Sequence, residues 1–330
     1  MNFWMPRMKE KLLVGGGPRK VKDPFDRNPE AVYGVAEQVA PGVRRVTCRN
    51  PSAMTFSGTR SYLVGHGEVA LIDPGPSSRE HLAAIAAALE PGERIAHILV
   101  THSHVDHSPG AGAVAEATGV PVHGFGPHGA GLSETMRRLQ ADGVALGGGE
   151  GGDGGFQPDH ELAEGETVGA DTWALTALHT PGHLSNHICL ALEGTGILFT
   201  GDTVMGWATT LVSPPEGDMA AFMASLRRLA GRVQEDRLYL PGHGHPVTDP
   251  AAMLAFQITH REERMAQILA ALAAGPADAG QLAKAIYTDV DPVLLPAARR
   301  NVLATLIGLL DEGRVAVRGA LSAAAVFELA

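Results

Sequence analysis

A short stretch, Thr101 to His107, carries four potential metal ligands within six consecutive positions. These are His102, His104, Asp106 and His107. The apolar run Ile95 to Val100 directly precedes them and predicts a buried strand, so the ligands are expected where that strand ends. Neutral imidazole nitrogen and carboxylate oxygen suit Zn²⁺ and similar divalent ions. A polar loop that is merely rich in histidine is the alternative, but clusters later in the chain favour a metal site.

The composition sets limits on the kind of protein. A chain of 330 residues is longer than a typical single domain and predicts two domains. The formal net charge of −10 disfavours a general polyanion-binding surface. Cys48 and Cys189 are expected as buried thiols in a reducing compartment. Since no apolar run reaches the roughly 18 residues that span a bilayer, and Met1 to Val14 lacks a secretory pattern, we expect a cytoplasmic protein without a membrane partner.

Predicted strands and helices alternate from about residue 42, with polar clusters at strand ends, which indicates an α/β layered fold. The glycine-rich segment 142–158 has almost no large apolar side chains and is expected as a mobile surface loop. After Asp249 the pattern becomes mainly helical. The elements predicted there are helices at 251–274, 279–287 and 292–313 and a hairpin at 315–317 and 325–327. This is a winged-helix-like arrangement.

Three later clusters each follow a predicted strand. They are His179-Thr180-Pro181-Gly182-His183, Thr200-Gly201-Asp202 and Pro241-Gly242-His243-Gly244-His245. Glycine or proline beside each ligand lets the backbone turn sharply and approach a shared centre. A site for two ions about 3.5–4 Å apart needs roughly six or seven protein ligands, including one bridging carboxylate. The candidates are His102, His104, Asp106, His107, His183, Asp202 and His243.

The motifs HxHxDH, HTPGH, GD and PGHG, in this order, resemble those of the metallo-β-lactamase superfamily over about residues 40–250. The resemblance implies an αββα sandwich with the metals at one edge of the two sheets. The ligand assignment that it implies is His102, His104 and His183 for one ion, Asp106, His107 and His243 for the other, and Asp202 between them. Asp73 matches a residue that in the family braces the ligand loop without touching metal.

The C-terminal part resembles the winged-helix-like domain of the lactamase-beta-2-like branch of this superfamily. The matching stretches are His260–Arg264, Ala285–Thr288, Asn301–Leu303 and Leu310–Arg314. The expected organisation is an N-terminal tail (1–30), a metallo-β-lactamase-fold catalytic domain (31–250) and a small, mainly helical winged-helix-like domain (251–330). Ser103 departs from the branch, where a bulky aromatic residue is common, and is expected to leave the mouth of the site more open.

Two bound divalent ions, most plausibly Zn²⁺ with Fe or Mn as alternatives, would activate a shared water and polarise a carbonyl or phosphoryl oxygen. We therefore expect a dinuclear hydrolase that uses a metal-bridging hydroxide on a small ester, thioester or lactone. Asp106 would be both ligand and proton-handling catalytic residue. One alternative is a metal-dependent endoribonuclease acting on single-stranded RNA, although a winged helix that grips a phosphate backbone is normally more basic. Another is a thioether or persulfide oxidase with one iron.

Four further residues are expected as outer contacts of the metal site or as part of the substrate cleft. They are Asp73, His187, His245 and Trp207. His187 follows His183 by four residues, and a packing or hydrogen-bonding role is favoured for it. His245 lies beside His243 and is compatible with a place in the cleft. Trp207 follows Asp202, and two roles are open for it: part of a substrate-binding loop, or ordinary packing. A small-molecule substrate and a homodimer are the expected partners.

Overall fold

The computed structural model describes residues 23–149, 151–288 and 290–330. Most of the expected tail, residues 1–22, lies outside the described residues. Residues 23–30 are described and contain no helix or strand. Within them Phe25 packs edge-on against Phe256, with ring centroids 5.3 Å apart.

Two sheets form the centre of the first part of the chain. In both, spatial order follows chain order. The first contains β1 Ala36–Ala40, β2 Val43–Thr47, β3 Arg60–Val64, β4 Glu68–Ile72, β5 Arg94–Leu99, β6 Val122–Gly124 and β7 His160–Glu161. The second contains β8 Thr167–Ala170, β9 Trp173–His179, β10 Ile188–Leu192, β11 Ile197–Gly201 and β12 Leu238–Pro241. The pairs β4–β5, β5–β6, β6–β7 and β11–β12 are parallel, and the other neighbours are antiparallel.

The helices cover the outer faces of the sheets and form the C-terminal part. They are α1 Arg79–Ala87, α2 Gly110–Thr118, α3 Glu134–Ala141, α4 Met219–Ala230, α5 Pro250–Ala274, α6 Ala279–Ile286 and α7 Leu295–Asp311. Ser78 begins α1 as expected, since its side chain accepts the His81 N–H. A single 3-10 turn, Pro292–Leu294, precedes α7.

Side-chain alternation along the strands builds the layers. In β4, Ala70 and Ile72 face the space between the two sheets, whereas Val69 and Leu71 face α1 and α2. The second sheet buries Leu198 and Tyr239 against α4 and the start of α5. The result is a helix–sheet–sheet–helix sandwich, which confirms the predicted fold class. Strands buried on both faces explain why the sequence showed nearly continuous apolar runs.

The C-terminal helices α5, α6 and α7 pack with a small sheet and confirm the winged-helix-like arrangement. That sheet has the order β13 Ala277–Asp278, β15 Val326–Leu329, β14 Val315–Arg318. Among the described residues, one stretch, Pro292–Asp311, is long and apolar enough to span a membrane by length and composition. It is the core helix of this unit, and Leu306 and Ile307 on it are fully buried.

The helix α5 links the two parts of the molecule. Met253 and Leu254 near its start pack in the core of the second sheet, whereas Ile268 and Leu272 near its end pack in the C-terminal core. The predicted domain boundary at residue 250 coincides with the first residue of α5 and stays a prediction, because this helix belongs to both cores.

The described residues of the glycine-rich segment 142–158 form a mainly exposed or half-buried loop that also contacts the loop of predicted ligands. The Val105 N–H donates to the Gly151 carbonyl at 2.9 Å, and the Asp153 N–H donates to the Ser103 carbonyl at 2.8 Å. The segment therefore lies along the loop that carries the predicted ligands. Backbone groups make these two contacts, and the Asp153 side chain adds a third by accepting the Ser108 hydroxyl at 2.7 Å.

Leu306 is completely buried in the C-terminal core, so Leu306→Ala should leave a cavity there. We expect this change to lower the free energy of unfolding by about 2–5 kcal/mol. Val293→Ala is the control, since Val293 is 66% exposed, and its effect should stay within about 0.5 kcal/mol. Denaturant titration measures both values. Equal effects of the two changes would contradict the described packing.

Candidate metal centre

The loop after β5 carries the first four predicted ligands to one edge of the sandwich. Backbone hydrogen bonds fix its path: the Val100 N–H donates to the His123 carbonyl, and the Ile188 N–H donates to the Thr101 carbonyl, at 2.9 and 2.8 Å. The loop is thereby tied to β6 of its own sheet and to β10 of the other. Ligands that follow strand ends in both sheets can meet at this edge, as the sequence predicted.

One group of donors contains His102, His104, His183 and Asp202, whose ligand atoms lie within 4.8 Å of one another. The His104 Nδ1 lies 3.0 Å from the His102 Nε2 and 2.9 Å from the His183 Nε2. These three nitrogens converge on one point. The predicted first ligand set is therefore brought together.

A second group contains Asp106, His107 and His243. The His243 Nε2 lies 3.1 Å from the Asp106 Oδ2 and 3.3 Å from the His107 Nε2. Asp202 lies between the two groups, because its Oδ2 is 3.3 Å from the His243 Nε2 and 3.7 Å from the His183 Nε2. This is the place that a bridging carboxylate would occupy.

The donors fit a pair of divalent cations. Burial, followed by the imidazoles of His107 and His104, lowers the pKa of His102 well below its ordinary value, so its ring is neutral. Burial alone would raise the pKa of Asp202, but His243 and His107 hold that pKa below its usual range, so the carboxylate is ionised. The Oδ1 of Asp202 is buried and has no hydrogen-bond partner among the described residues. An ionised carboxylate oxygen in this state suits a bound cation.

Asp73 braces the ligand loop without entering either group. Its Oδ1 accepts the Thr101 N–H at 2.7 Å, and its Oδ2 accepts the Thr101 hydroxyl at 2.7 Å. The same Oδ2 lies 2.9 Å from the His107 Nδ1. A proton on Nδ1 that is donated to Asp73 leaves the Nε2 lone pair of His107 free to bind metal.

His187 is fully buried and holds Asp202 from behind. Its Nε2 accepts the Asp202 backbone N–H at 3.1 Å, so this nitrogen carries no proton. Its Nδ1 lies 2.9 Å from the Thr180 hydroxyl and 3.1 Å from the Thr203 hydroxyl. The ring is therefore used for hydrogen bonding, in line with the role favoured from the sequence.

A short segment, Thr210 to Val212, connects the ligands to the C-terminal helices. The Thr210 hydroxyl donates to the Asp202 carbonyl, and the His183 Nδ1 donates to the Leu211 carbonyl, both at 2.7 Å. On its other side, the Val212 N–H donates to the Asn301 Oδ1 on α7 at 2.9 Å. Arg261 on α5 donates to the Thr210 carbonyl and, at 3.2 Å, to Asn301. The C-terminal unit thus holds the segment that orients two ligands.

His245 and Trp207 lie away from the donor groups. The His245 Nε2 lies 2.9 Å from the Asn28 carbonyl, so this ring faces the segment 23–30. Trp207 stacks on Phe56, with centroids 4.8 Å apart and an angle of 10° between the rings. Neither side chain lines the cavity over the donors. Trp207 instead lines a neighbouring cavity.

Several residues of the site had no signal in the sequence. The Thr59 hydroxyl donates to the Asp106 Oδ2 at 2.9 Å across 47 positions of the chain. The Ser103 Oγ lies 2.9 Å from the His128 Nδ1, and the His128 Nε2 lies 2.8 Å from the Glu216 Oε1. Ser103 is fully buried, so the expectation that it opens the mouth of the site is wrong. Its small side chain instead makes room for His128.

A cavity of about 390 Å³ opens onto both donor groups. We refer to it as the catalytic cavity. Its lining comprises five of the donors, His104, Asp106, His183, Asp202 and His243, together with Met54, Thr55, Gly149, Gly151, Met205, Leu211, Ser213 and Glu216. Polar donors on one part of the lining and apolar side chains on another are typical of a small-molecule site.

Two family models match the chain. The model of the metallo-beta-lactamase superfamily matches residues 54–245, which is more than half of the chain. The model of the beta-lactamase associated winged helix domain matches residues 279–322. These are the two units that the sequence motifs predicted.

Similar proteins bear names consistent with these family models. A beta-lactamase-like protein 2 homolog from Drosophila melanogaster is 30% identical over 87% of this chain and 94% of its own length. The lactamase-like protein adaB of Aspergillus niger is 35% identical over 72% of this chain, and this chain spans 65% of its length. An atrochrysone carboxyl ACP thioesterase of Aspergillus chevalieri is 32% identical over 72% of this chain and 67% of its own length.

Solved structures share the fold. A beta-lactamase domain protein from Burkholderia ambifaria superimposes with a TM-score of 0.73 at 24% identity, over 91% of this chain and 96% of that one. A metallo-beta-lactamase family protein from Thermus thermophilus gives a TM-score of 0.69 at 24% identity, over 88% and 100% of the two chains. The two family models match successive parts of the chain, and one relative aligns over nearly its whole length. This chain therefore belongs to the metallo-β-lactamase superfamily, and its C-terminal part is a beta-lactamase associated winged helix domain.

Proposed function

We propose that the protein is a dinuclear metal-dependent hydrolase of small thioesters. The observation that carries this proposal is the convergence of seven donors in two adjacent groups, with Asp202 of the first group 3.3 Å from His243 of the second, beside a cavity of about 390 Å³. In the proposal one ion is held by His102, His104 and His183, the other by Asp106, His107 and His243, and Asp202 bridges them. Zn²⁺ is the favoured metal, with Fe or Mn as alternatives.

The choice of thioesters among esters, thioesters and lactones is supported by the relatives. Several aligned proteins are named atrochrysone carboxyl ACP thioesterases, and they are 29–32% identical to this chain. The apolar part of the catalytic cavity, with Met54, Met205 and Leu211, suits the acyl group of such a substrate.

When bound, the two ions would supply an activated water and a Lewis acid for the substrate carbonyl. The chain itself supplies the proton acceptor. The Oδ2 of Asp106 is occupied by the Thr59 hydroxyl and faces His243, whereas its Oδ1 has no hydrogen bond among the described residues. The Asp106 side chain is 21% exposed, compared with 8% for Asp202, so Asp106 is the more accessible of the two ligand carboxylates. We assign the proton transfer to Asp106.

The ribonuclease alternative is less well supported. In the winged helix domain, Arg299 donates to the Ala323 carbonyl and Arg300 donates to the carbonyls of Leu146, Gly147 and Pro214. These guanidinium groups are engaged in packing the domain rather than presented to a phosphate backbone. The ribonuclease, the one-iron oxidase, the homodimer and the cytoplasmic location stay predictions.

Elemental analysis tests the metal site. We expect about two divalent ions per chain in the wild-type protein and about one in His243→Ala, because the second ion then keeps only Asp106, His107 and the shared Asp202. Removal of metal by a chelator should abolish thioester hydrolysis, and Zn²⁺ should restore it. His245→Ala is the matched control, since this neighbouring histidine faces Asn28, and it should keep two ions. Full thioester hydrolysis by metal-free protein would refute the proposal.

Asp73→Asn tests the brace behind the second donor group. The change removes the charge that orients the His107 ring while keeping the shape of the side chain. Outer partners of this kind contribute about 10–100-fold to metal affinity, and we expect a loss of that size. Competition against a chromophoric chelator measures it. Asp171→Asn, at an exposed position between β8 and β9, is the control and should bind metal like the wild type. Unchanged affinity in Asp73→Asn would show that the brace is dispensable.

A further inference from the structure

The catalytic cavity has an apolar neighbour. A second cavity of about 230 Å³ lies against it, and the two share Met54, Met205 and Leu211 in their linings. Leu211 is the residue whose carbonyl accepts the His183 Nδ1–H. A substrate that extends past these three shared residues would therefore lie beside the metal ligands at one end and in the second cavity at the other.

The second cavity, here called the side cavity, is formed by both parts of the chain. Beyond the shared wall its lining includes Trp207, Tyr287, Leu294, Ala297 and Ala298. Trp207 is held flat by its stack on Phe56. A volume of about 230 Å³ exceeds the roughly 150 Å³ of an apolar cavity that binds benzene, so one aromatic ring with substituents fits.

The lining of the side cavity carries a positive charge. Arg264 and His260, both on α5, belong to the lining, and none of the described lining residues is a carboxylate. The Arg264 guanidinium lies 4.5 Å from the centroid of the Tyr287 ring and donates to the Gln267 side chain and the Ile286 carbonyl, so these neutral partners leave its charge in place. Burial, followed by Arg261 and Arg264, lowers the pKa of His260 to about 4, so His260 is neutral near pH 7. The charge belongs to Arg264.

We propose that the side cavity binds the acyl part of the thioester substrate, and that this acyl part is aromatic and carries an anionic group at its far end. The thioester carbonyl then lies in the catalytic cavity, and the far anionic group meets Arg264. This inference rests on the proposed function and adds the substrate class.

The thiol side of a thioester suits the side cavity less well. A pantetheine-like thiol carries amide groups, which lose water on burial and need hydrogen-bond partners in return. The lining offers mainly methionine, leucine, alanine and aromatic side chains. Methionine adapts to irregular apolar shapes and makes favourable contacts with rings, so Met54 and Met205 suit an aromatic acyl group that passes between them.

Hydrolysis of three N-acetylcysteamine thioesters by the metal-loaded protein tests the inference. The acids are acetic acid, 2-naphthoic acid and 6-carboxy-2-naphthoic acid. We expect kcat/KM to rise by about tenfold or more from acetyl to naphthoyl, because a ring is buried. A further rise of about tenfold is expected with the distal carboxylate, because it pairs with Arg264. A flat profile in the wild type would overturn the inference.

Matched variants separate the two features. Ala297→Phe places a ring in the side cavity and should lower the naphthoyl-to-acetyl ratio by about tenfold, whereas Ala270→Phe, at an exposed position of α5, should keep that ratio. Arg264→Gln should remove the preference for the distal carboxylate, and Arg227→Gln, at an exposed ion pair, should keep it. Ratios that are equal in each variant and its control would overturn the inference.

Binding of the free acid gives a second measurement. In calorimetry, 6-carboxy-2-naphthoate should bind the metal-loaded wild type, and Ala297→Phe should weaken that binding by about tenfold. If no thioester is hydrolysed, the proposed function fails, and this binding experiment still decides whether the side cavity takes an aromatic acid. If thioesters are hydrolysed but the acid binds wild type and Ala297→Phe equally, only the further inference fails.

Discussion

The rest of the site depends on how the buried carboxylate of Asp202 is compensated. An ionised carboxylate removed from water is costly unless other groups replace its hydration. Here the imidazoles of His183 and His243 lie on one side, and His187 and Thr210 hold its backbone N–H and carbonyl on the other. The backbone of Asp202 is fixed so that its side chain is free for cations, and the two donor groups are arranged around it.

The ligands were predictable because their signals are local. His183, Asp202 and His243 each follow a glycine, and the other four ligands lie within six consecutive positions. Each group comes directly after an apolar strand, so motif and strand pattern agree in a single window of sequence. The α/β class followed from the same alternation of strands and helices, and the αββα sandwich followed from the resemblance to the superfamily. Most element bounds shifted by a residue or two, as with α5, which begins at Pro250 rather than at residue 251. The helix predicted at 292–313 differs more, because its first three residues form a 3-10 turn and α7 begins at Leu295.

The supporting residues were not predictable, because they meet only in the folded chain. Thr59 reaches Asp106 across 47 positions, and His128 reaches Glu216 across 88. Ser103 was expected to leave the mouth of the site open, since nothing nearby in sequence indicates that His128 fills the space beside it. The contact between the glycine-rich segment and the ligand loop was missed for a related reason: backbone hydrogen bonds contribute to it, and they leave no side-chain pattern.

The segment Thr210 to Val212 has a consequence for how the protein is made. All seven donors have been synthesised once the chain reaches His243. Arg261 and Asn301, which hold this segment, are synthesised later. Domains generally fold as units during synthesis, beginning at the N-terminus. In this chain the segment beside His183 and Asp202 is fully supported only when residues up to Asn301 are in place. Ion binding therefore stabilises the two units together, because each contributes to the position of the ligands.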